Sequence, residues 1–265
     1  SESPVAEHTS AIAEQLSIEG PLSVDIALDV PLIAGLDVAY RVDTTLSSNV
    51  VTHLPSALIF NDLQGLVRVS SAEGVYADGI GAQLFDEAVV LDIKTIAAAE
   101  SSGQYSPENE VNVPAVTRLS LSGRAELEKV LSHAELPSIG GMSGAFAYQA
   151  MLDIPEQEAD VAILRLNSTL EGLARQWPRP FDKSSARQDQ LNVKAWLGES
   201  ETSINVGYSA AGQPRVDANL ILQGNSFSKA DVQLGASKAR QFTRPLNKGI
   251  NVHGEVPYAE LAEWV

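Results

Sequence analysis

The chain says nearly the same thing twice, and that repetition constrains its fold more than any other feature. Gly20, eight residues and Asp29-Val30-Pro31 recur as Gly144, eight residues and Asp153-Ile154-Pro155. Asp37-Val38-Ala39 leads after six residues to Leu46, and Asp160-Val161-Ala162 leads after seven to Leu170, with Pro55 and Pro178 beyond. The offsets run 124, 123, 124 and 123, so single insertions and deletions keep two copies in step. Four matches in register are hard to obtain by chance. A duplication of this length predicts an array of β units rather than one closed catalytic domain.

Each copy runs on to an alternating stretch, a glycine and a helix-like segment. In the first these are Leu119–Ser122, Gly123 and Arg124 onward; in the second they are Ile250–His253, Gly254 and Tyr258–Val265. The chain starts on Ser1 and stops within the second of these segments, which reads as a piece of a longer protein. The predicted division is therefore 1–139 for the first unit and 140–265 for the second, with Leu136–Gly141 as the joint.

Period-two alternation dominates both copies. Val24, Ile26, Leu28 and Val30 alternate with Ser23, Asp25, Ala27 and Asp29, and Val38, Tyr40 and Val42 follow the same rule. The second copy shows it in Phe146/Tyr148/Ala150/Leu152, Ala162/Leu164/Leu166, Leu191/Val193/Ala195/Leu197, Ile204/Val206/Tyr208 and Val216/Ala218/Leu220/Leu222. Such segments are antiparallel strands with one apolar and one wet face. Turn signals stand at Ala72-Glu73-Gly74, Asp78-Gly79, Ala211-Gly212 and Gly224-Asn225. Short helices are expected at 124–133 and 258–265, and one more within Glu7–Leu16. Segments 98–112 and 179–189 read as loops. The fold class is mainly β: two tandem antiparallel units, each ending in a short helix, forming a curved sheet or open groove, with a closed β-sandwich as the alternative.

Composition closes off several functions. With 34 acidic against 18 basic residues the net charge is −16, and no basic cluster offsets it, which argues against a nucleic-acid partner. There is no cysteine, which removes disulfides, thiolate catalysis and Cys-based metal sites together. No run of 18 apolar residues marks a membrane span in the sequence. Membrane contact is therefore expected only through segments outside this chain.

No catalytic motif emerges. The four histidines, His8, His53, His133 and His253, lie far apart in sequence and complete no zinc or triad spacing. Gly141-Met142-Ser143-Gly144-Ala145 lacks the final glycine of a nucleophile elbow, and a strand rather than a helix follows it. Asp25 and Asp29 share a wet strand face, and the three tryptophans, Trp177, Trp196 and Trp264, form no sugar platform around paired acids. Gly74, Gly79 and Gly81 precede no Gly-Lys-Ser/Thr, so no phosphate loop is present. Neither an enzyme activity nor a cofactor is expected.

What remains is the apolar strand faces. Each sheet must hide its apolar face in a sandwich, in a barrel, or in a groove occupied by something apolar such as acyl chains. Alternation does not choose among the three.

Residues 161–174, VAILRLNSTLEGLA, followed by Trp177-Pro178-Arg179-Pro180-Phe181-Asp182-Lys183, resemble a motif of the YhdP branch of the AsmA-like family. There a strand leads to S-x-L-x-G-L-x-x-x-L-P-x-P-L-x-K; here Trp177 and Phe181 stand at the two apolar positions flanking the prolines. Gly249–Gly254 with Leu261 and Trp264 is similar to the family's G-L-x-V-x-G strand and following helix, and 56–95 to its L-x-x-L-x-G-x-L-x-F region. The resemblance implies a large, inner-membrane-anchored protein of Gram-negative bacteria that extends through the periplasm. Its long β-groove is thought to carry phospholipid between inner and outer membranes and serve outer-membrane biogenesis. On that reading the chain is an internal, non-enzymatic segment whose partners are phospholipid and the remaining repeats. The lipid-groove candidates are Val24, Ile26, Leu28, Val38, Tyr40, Val42, Phe146, Tyr148, Leu152, Leu164, Leu166, Val193, Ile204, Val206, Leu220 and Leu222. Charges on these positions should be costly, and alanine at Asp25 or Asp43 on the opposite face should cost little.

Overall fold

A computed structural model of the chain describes residues 15–32, 38–54, 56–97, 115–133, 138–155, 161–178, 181–198, 200–211, 215–224, 226–235 and 248–255. These residues are almost all strand. They cluster into two compact units, one of 1–123 with 153–160 and one of 124–152 with 161–265.

The first unit holds β1 (Leu16–Glu19), β2 (Leu22–Asp29), β3 (Ala39–His53), β4 (Leu58–Ser70), β5 (Gly74–Leu84), β6 (Glu87–Ala97) and β7 (Ala115–Glu126). β1 and β2 both pair with the long β3, and β3 to β7 then form a meander of nearest neighbours. Alternation sets the register. Val24, Thr44, Val67, Ala77, Ile93 and Leu119 line up across six strands on the apolar face. Asp25, Asp43, Arg68, Tyr76, Lys94 and Arg118 line up on the other face. The core gathers around Ile80, Leu46, Leu63, Ala77 and Val89. Gly65 makes room for it, since a Cβ there would meet the side chain of Ile80.

The second unit takes in the end of β7 from Arg124, then α1 (Leu127–His133), β8 (Met142–Pro155), β9 (Ala162–Ser168), β10 (Leu173–Arg175), β11 (Gln190–Leu197), β12 (Glu201–Ser209), β13 (Val216–Gln223), β14 (Ser226–Leu234) and β15 (Gly249–Gly254). The last residues of β8, from Asp153, group with the first unit. β8 pairs with β9 and β10, and the order then runs β9-β11-β12-β13-β14-β15. In neither unit do the described strands close the sheet on itself or stack a second sheet over it. The architecture is thus the open sheet and not the sandwich.

The repeat is visible in local geometry. Gly20 and Gly144 both take positive φ, +109° and +115°, where a side chain is strained. A Cβ on Gly20 would strike Asn49, and one on Gly144 would strike Gly172 and Leu173. Asn49 and Leu173 are themselves 124 residues apart, the spacing of the glycines. Leu46 and Leu170, again 124 apart, are both buried at 8% exposure. Gly20 lies at the break between β1 and β2, opposite the continuous β3, whereas Gly144 lies in the continuous β8, opposite the break between β9 and β10.

Three expectations change. The first helix starts at Leu127, not 124, because Arg124–Glu126 continue the alternation and extend β7. The second helix, 258–265, lies outside the described residues, as does most of the proposed Glu7–Leu16 helix, whose Leu16 opens β1 instead. The second unit is not wholly antiparallel, since β15 pairs with β14 in parallel. Strand parity gives the reason. Four antiparallel steps separate β3 from β7, and four separate β9 from β14. The second unit then carries one strand more, and only a parallel step lets β15 run in the sense of β9, as β7 runs in the sense of β3. The 14 residues from 235 to 248 supply the long connection that a parallel pair needs.

Candidate functional site

Alternation in the second unit separates two faces from β9 to β13, with Ile163, Trp196 and the buried Ile221 as apolar exceptions on the polar face. Leu166, Val193, Val206, Ala218, Val232 and Val252 form one apolar row across β9, β11, β12, β13, β14 and β15. Leu164, Ala195, Ile204, Leu220, Ala230 and Ile250 form the next. A third joins Ser168, Leu191, Tyr208, Val216, Leu234 and Gly254. Most side chains in the first two rows are only half-buried, and Ile250 and Val252 are exposed. The third row is covered at Leu191, Tyr208 and Val216. Leu127 and Leu131 of α1 pack with Leu170, Leu173 and Tyr208, against Leu191, Val216, Met142 and Phe146. The helix thus covers one end of the apolar face, and among the described residues the cluster it builds does not extend to the other two rows.

The sequence candidates fall accordingly. Leu164, Leu166, Val193, Ile204, Val206, Leu220 and Leu222 share the apolar face of the second unit. Phe146 and Tyr148 lie on one face of β8 with ring centroids 6.5 Å apart, and Leu152 follows on the same face. Burial pushes the Tyr148 hydroxyl above its ordinary pKa. In the first unit Val24, Ile26 and Leu28 pair with Thr44, Val42 and Tyr40. There Ile26 and Leu28 are 71% and 65% exposed, because β2 is an edge strand. Tyr40 is buried, and its hydroxyl finds no hydrogen-bond partner among the described residues. Val38 lies just before β3 and is exposed. Ala195, Ala218, Ala230, Val232, Ile250 and Val252 complete the rows but were not singled out as candidates. The alanines are too small to announce a groove, and the last three sit on strands whose pairing only the fold reveals.

The opposite faces are polar and partly tied by charge. Asp43 accepts hydrogen bonds from Arg41 and from Arg68, at 2.8 Å for the latter. These two guanidinium groups, Arg41 foremost, hold its carboxyl at about 2. Asp43 is therefore an ion-pair centre on the polar face of the first unit. Arg118 donates to both carboxylate oxygens of Asp153, which is 3% exposed. In the second unit the matching row reads Arg165, Lys194, Asn205, Asn219, Asp231 and Asn251, and Lys194 stands 4.6 Å from the Trp196 ring.

Sequence reading missed the most ordered polar feature, inside the 179–189 loop. Lys183 is 3% exposed, and its ammonium donates to the carbonyls of Leu170, Leu173, Ser184 and Arg187. Burial draws the amine below its ordinary pKa, while Asp189 opposes the shift. Asp189 is buried and takes Arg187 through both oxygens and the Tyr208 hydroxyl at 2.6 Å. Desolvation, together with that carboxylate, raises the Tyr208 pKa. Arg175 donates to Tyr208 and Phe181 and lies over the rings of Trp177 and Tyr208. The only sequence signal was the motif lysine itself.

No group of three or more His, Asp and Glu able to hold a metal occurs among the described residues, and no described helix is long and apolar enough to cross a membrane. The His53 ring meets Ser56 at 2.6 Å in an exposed turn.

No curated protein and no solved structure matches the chain. A family model described as YhdP protein matches residues 1–265, the whole of it. Alternating strands, the proline-flanked motif ending in Lys183 and a match from end to end agree: the chain belongs to the YhdP family.

Proposed function

We propose that this chain is a non-enzymatic segment of a periplasmic lipid conduit, in which phospholipid acyl chains lie on the open apolar sheet faces and headgroups stay in water. The observation that carries the reading is the pair of half-buried apolar rows in the second unit, on a face that no second sheet covers among the described residues. In an ordinary packed domain such rows would be core. Family membership supports lipid as the occupant. The duplicated unit, 1–139 and 140–265 by the sequence repeat, supplies the same kind of face twice. Anchoring in the inner membrane and passage to the outer membrane belong to the larger protein this reading implies.

The dimensions fit. Six strands at about 4.8 Å spacing give each apolar row a length of about 24 Å. One leaflet of bilayer hydrocarbon is about 15 Å thick. Each CH₂ withdrawn from water contributes about 0.8 kcal/mol.

The test places a carboxylate on the open face and in the core. Ile26→Asp and Leu164→Asp should retain cooperative unfolding while phospholipid co-purifying from a bacterial membrane lysate falls, as read by native mass spectrometry. Ile80→Asp, at a position 1% exposed, should unfold the first unit. A parent chain without lipid, together with complete unfolding by all three changes, would replace the conduit with a packed interaction module.

A further inference from the structure

The apolar face of the second unit is divided, and the divider is built from buried parts. Leu127 and Leu131 of α1 cover the row of Leu191, Tyr208 and Val216. Behind that cover Lys183 ties two carbonyls beside the strand break, Leu170 and Leu173, to two on the return loop, Ser184 and Arg187. Trp177 fastens the same region by donating to the Gly140 carbonyl at 2.7 Å. Within the covered row the Tyr208 hydroxyl donates to the buried Asp189 carboxylate. Hydrocarbon entering there would have to displace α1 and strip hydrogen bonds from an ionised network, which is costly in an apolar setting. Among the described residues, the cluster around α1 includes no side chain of the rows through Val193–Val206 and Ala195–Ile204, which are mostly half-buried, with Ala195 and Ala230 buried.

We infer that α1 and the Lys183-anchored loop form a fixed stop at one side of the groove. It confines an acyl chain to the lane lined by Val193, Ile204, Val206 and Leu220. Lys183 is then a positioning residue: it touches no lipid and acts by holding the stop in place. The inference rests on the lipid reading above and adds where the chain runs.

The experiment maps acyl contact on the full chain. Vesicles of phosphatidylethanolamine and phosphatidylglycerol carry an acyl-chain diazirine; after illumination, adducts are located by peptide mass spectrometry. Adducts should concentrate at Val193, Ile204, Val206 and Leu220 and be about tenfold fewer at Leu191, Tyr208, Val216 and α1, the ratio that a 1.4 kcal/mol preference produces. Lys183→Met should bring the covered set up to the level of the open set. If that variant loses its strand signal in circular dichroism, Leu131→Ala thins the stop without touching the carbonyl cage and should act in the same direction. Equal labelling of both sets in the parent would overturn the stop while leaving the lipid reading intact. Absence of adducts on either set would overturn both.

Discussion

Replacing Lys183 with methionine isolates the carbonyl cage. Methionine matches the unbranched apolar stem of lysine and lacks the terminal ammonium, so packing of the stem is nearly conserved. Four acceptors lose a charged donor at once: the carbonyls of Leu170 and Leu173 at 2.8 Å, Ser184 at 3.2 Å and Arg187 at 2.6 Å. Hydrogen bonds to a charged group contribute about 1.5–3 kcal/mol each, but bonds sharing one donor do not add. Leu170 also keeps the amide of Leu173 as a donor. Against the loss stands the desolvation of the ammonium, which the variant no longer bears. Removing one partner from a buried charged site costs about 3–5 kcal/mol, and the lower half of that range is the expected loss here. That is a large part of the about 5–15 kcal/mol stabilising a typical domain. Urea unfolding followed by tryptophan fluorescence reads it, since Trp177 and Trp196 both lie in the second unit. The control is Lys129→Met. That ammonium is half exposed, stands 3.7 Å from Glu126 and should shift stability by no more than about 0.5 kcal/mol. Equal losses for Lys183→Met and Lys129→Met, with unchanged m-values, would refute the cage as a source of stability.

Two further outcomes are expected. Asp43 has a carboxyl depressed to about 2 in the folded chain, against about 3.9 unfolded. Its contribution is therefore complete above about pH 4 and is lost as pH falls through about 2. The melting-temperature gap between the parent and Asp43→Asn should be constant from pH 7 to 5 and shrink toward pH 2, whereas a gap independent of pH would show that the Arg41 and Arg68 pairs contribute nothing. Gly144→Ala should cost about 1–3 kcal/mol or more in urea unfolding, from positive φ and from a Cβ driven into the Gly172 carbonyl. Gly79→Ala, also at positive φ but with open space around the Cβ, should cost clearly less; equal losses would remove the close approach as the reason for glycine at the repeated position.

Much of the fold was legible because strand alternation is a local signal. Val24, Ile26 and Leu28, or Ile204, Val206 and Tyr208, must share a face in any pleated strand, whatever they pair with. The duplicated Gly20/Gly144 and Leu46/Leu170 pairs declared the repeat, since both glycines answer to backbone geometry that a side chain would strain. What alternation could not supply was adjacency. That Val193 abuts Val206, that β15 lies parallel to β14, and that α1 covers Leu191 and Val216 but not Val193 all depend on contacts between residues distant in sequence. Parity shows how remote the cause can be: one added strand reverses the meander, and only the tertiary fold shows the parallel step that restores it.

The charged residues divide in the same way. Composition fixed the strong negative charge and the absence of thiol chemistry, because those are sums over the chain. It could not distinguish Asp25, exposed on an edge strand, from Asp189, buried between Arg187 and Tyr208. Nor could it tell a solvated lysine from Lys183, because an ammonium becomes structural only when carbonyls from separate segments converge on it. Sequence determined which faces are apolar. The tertiary structure decided which of them are covered, because burial is a property of what the fold brings alongside a side chain and not of the side chain itself.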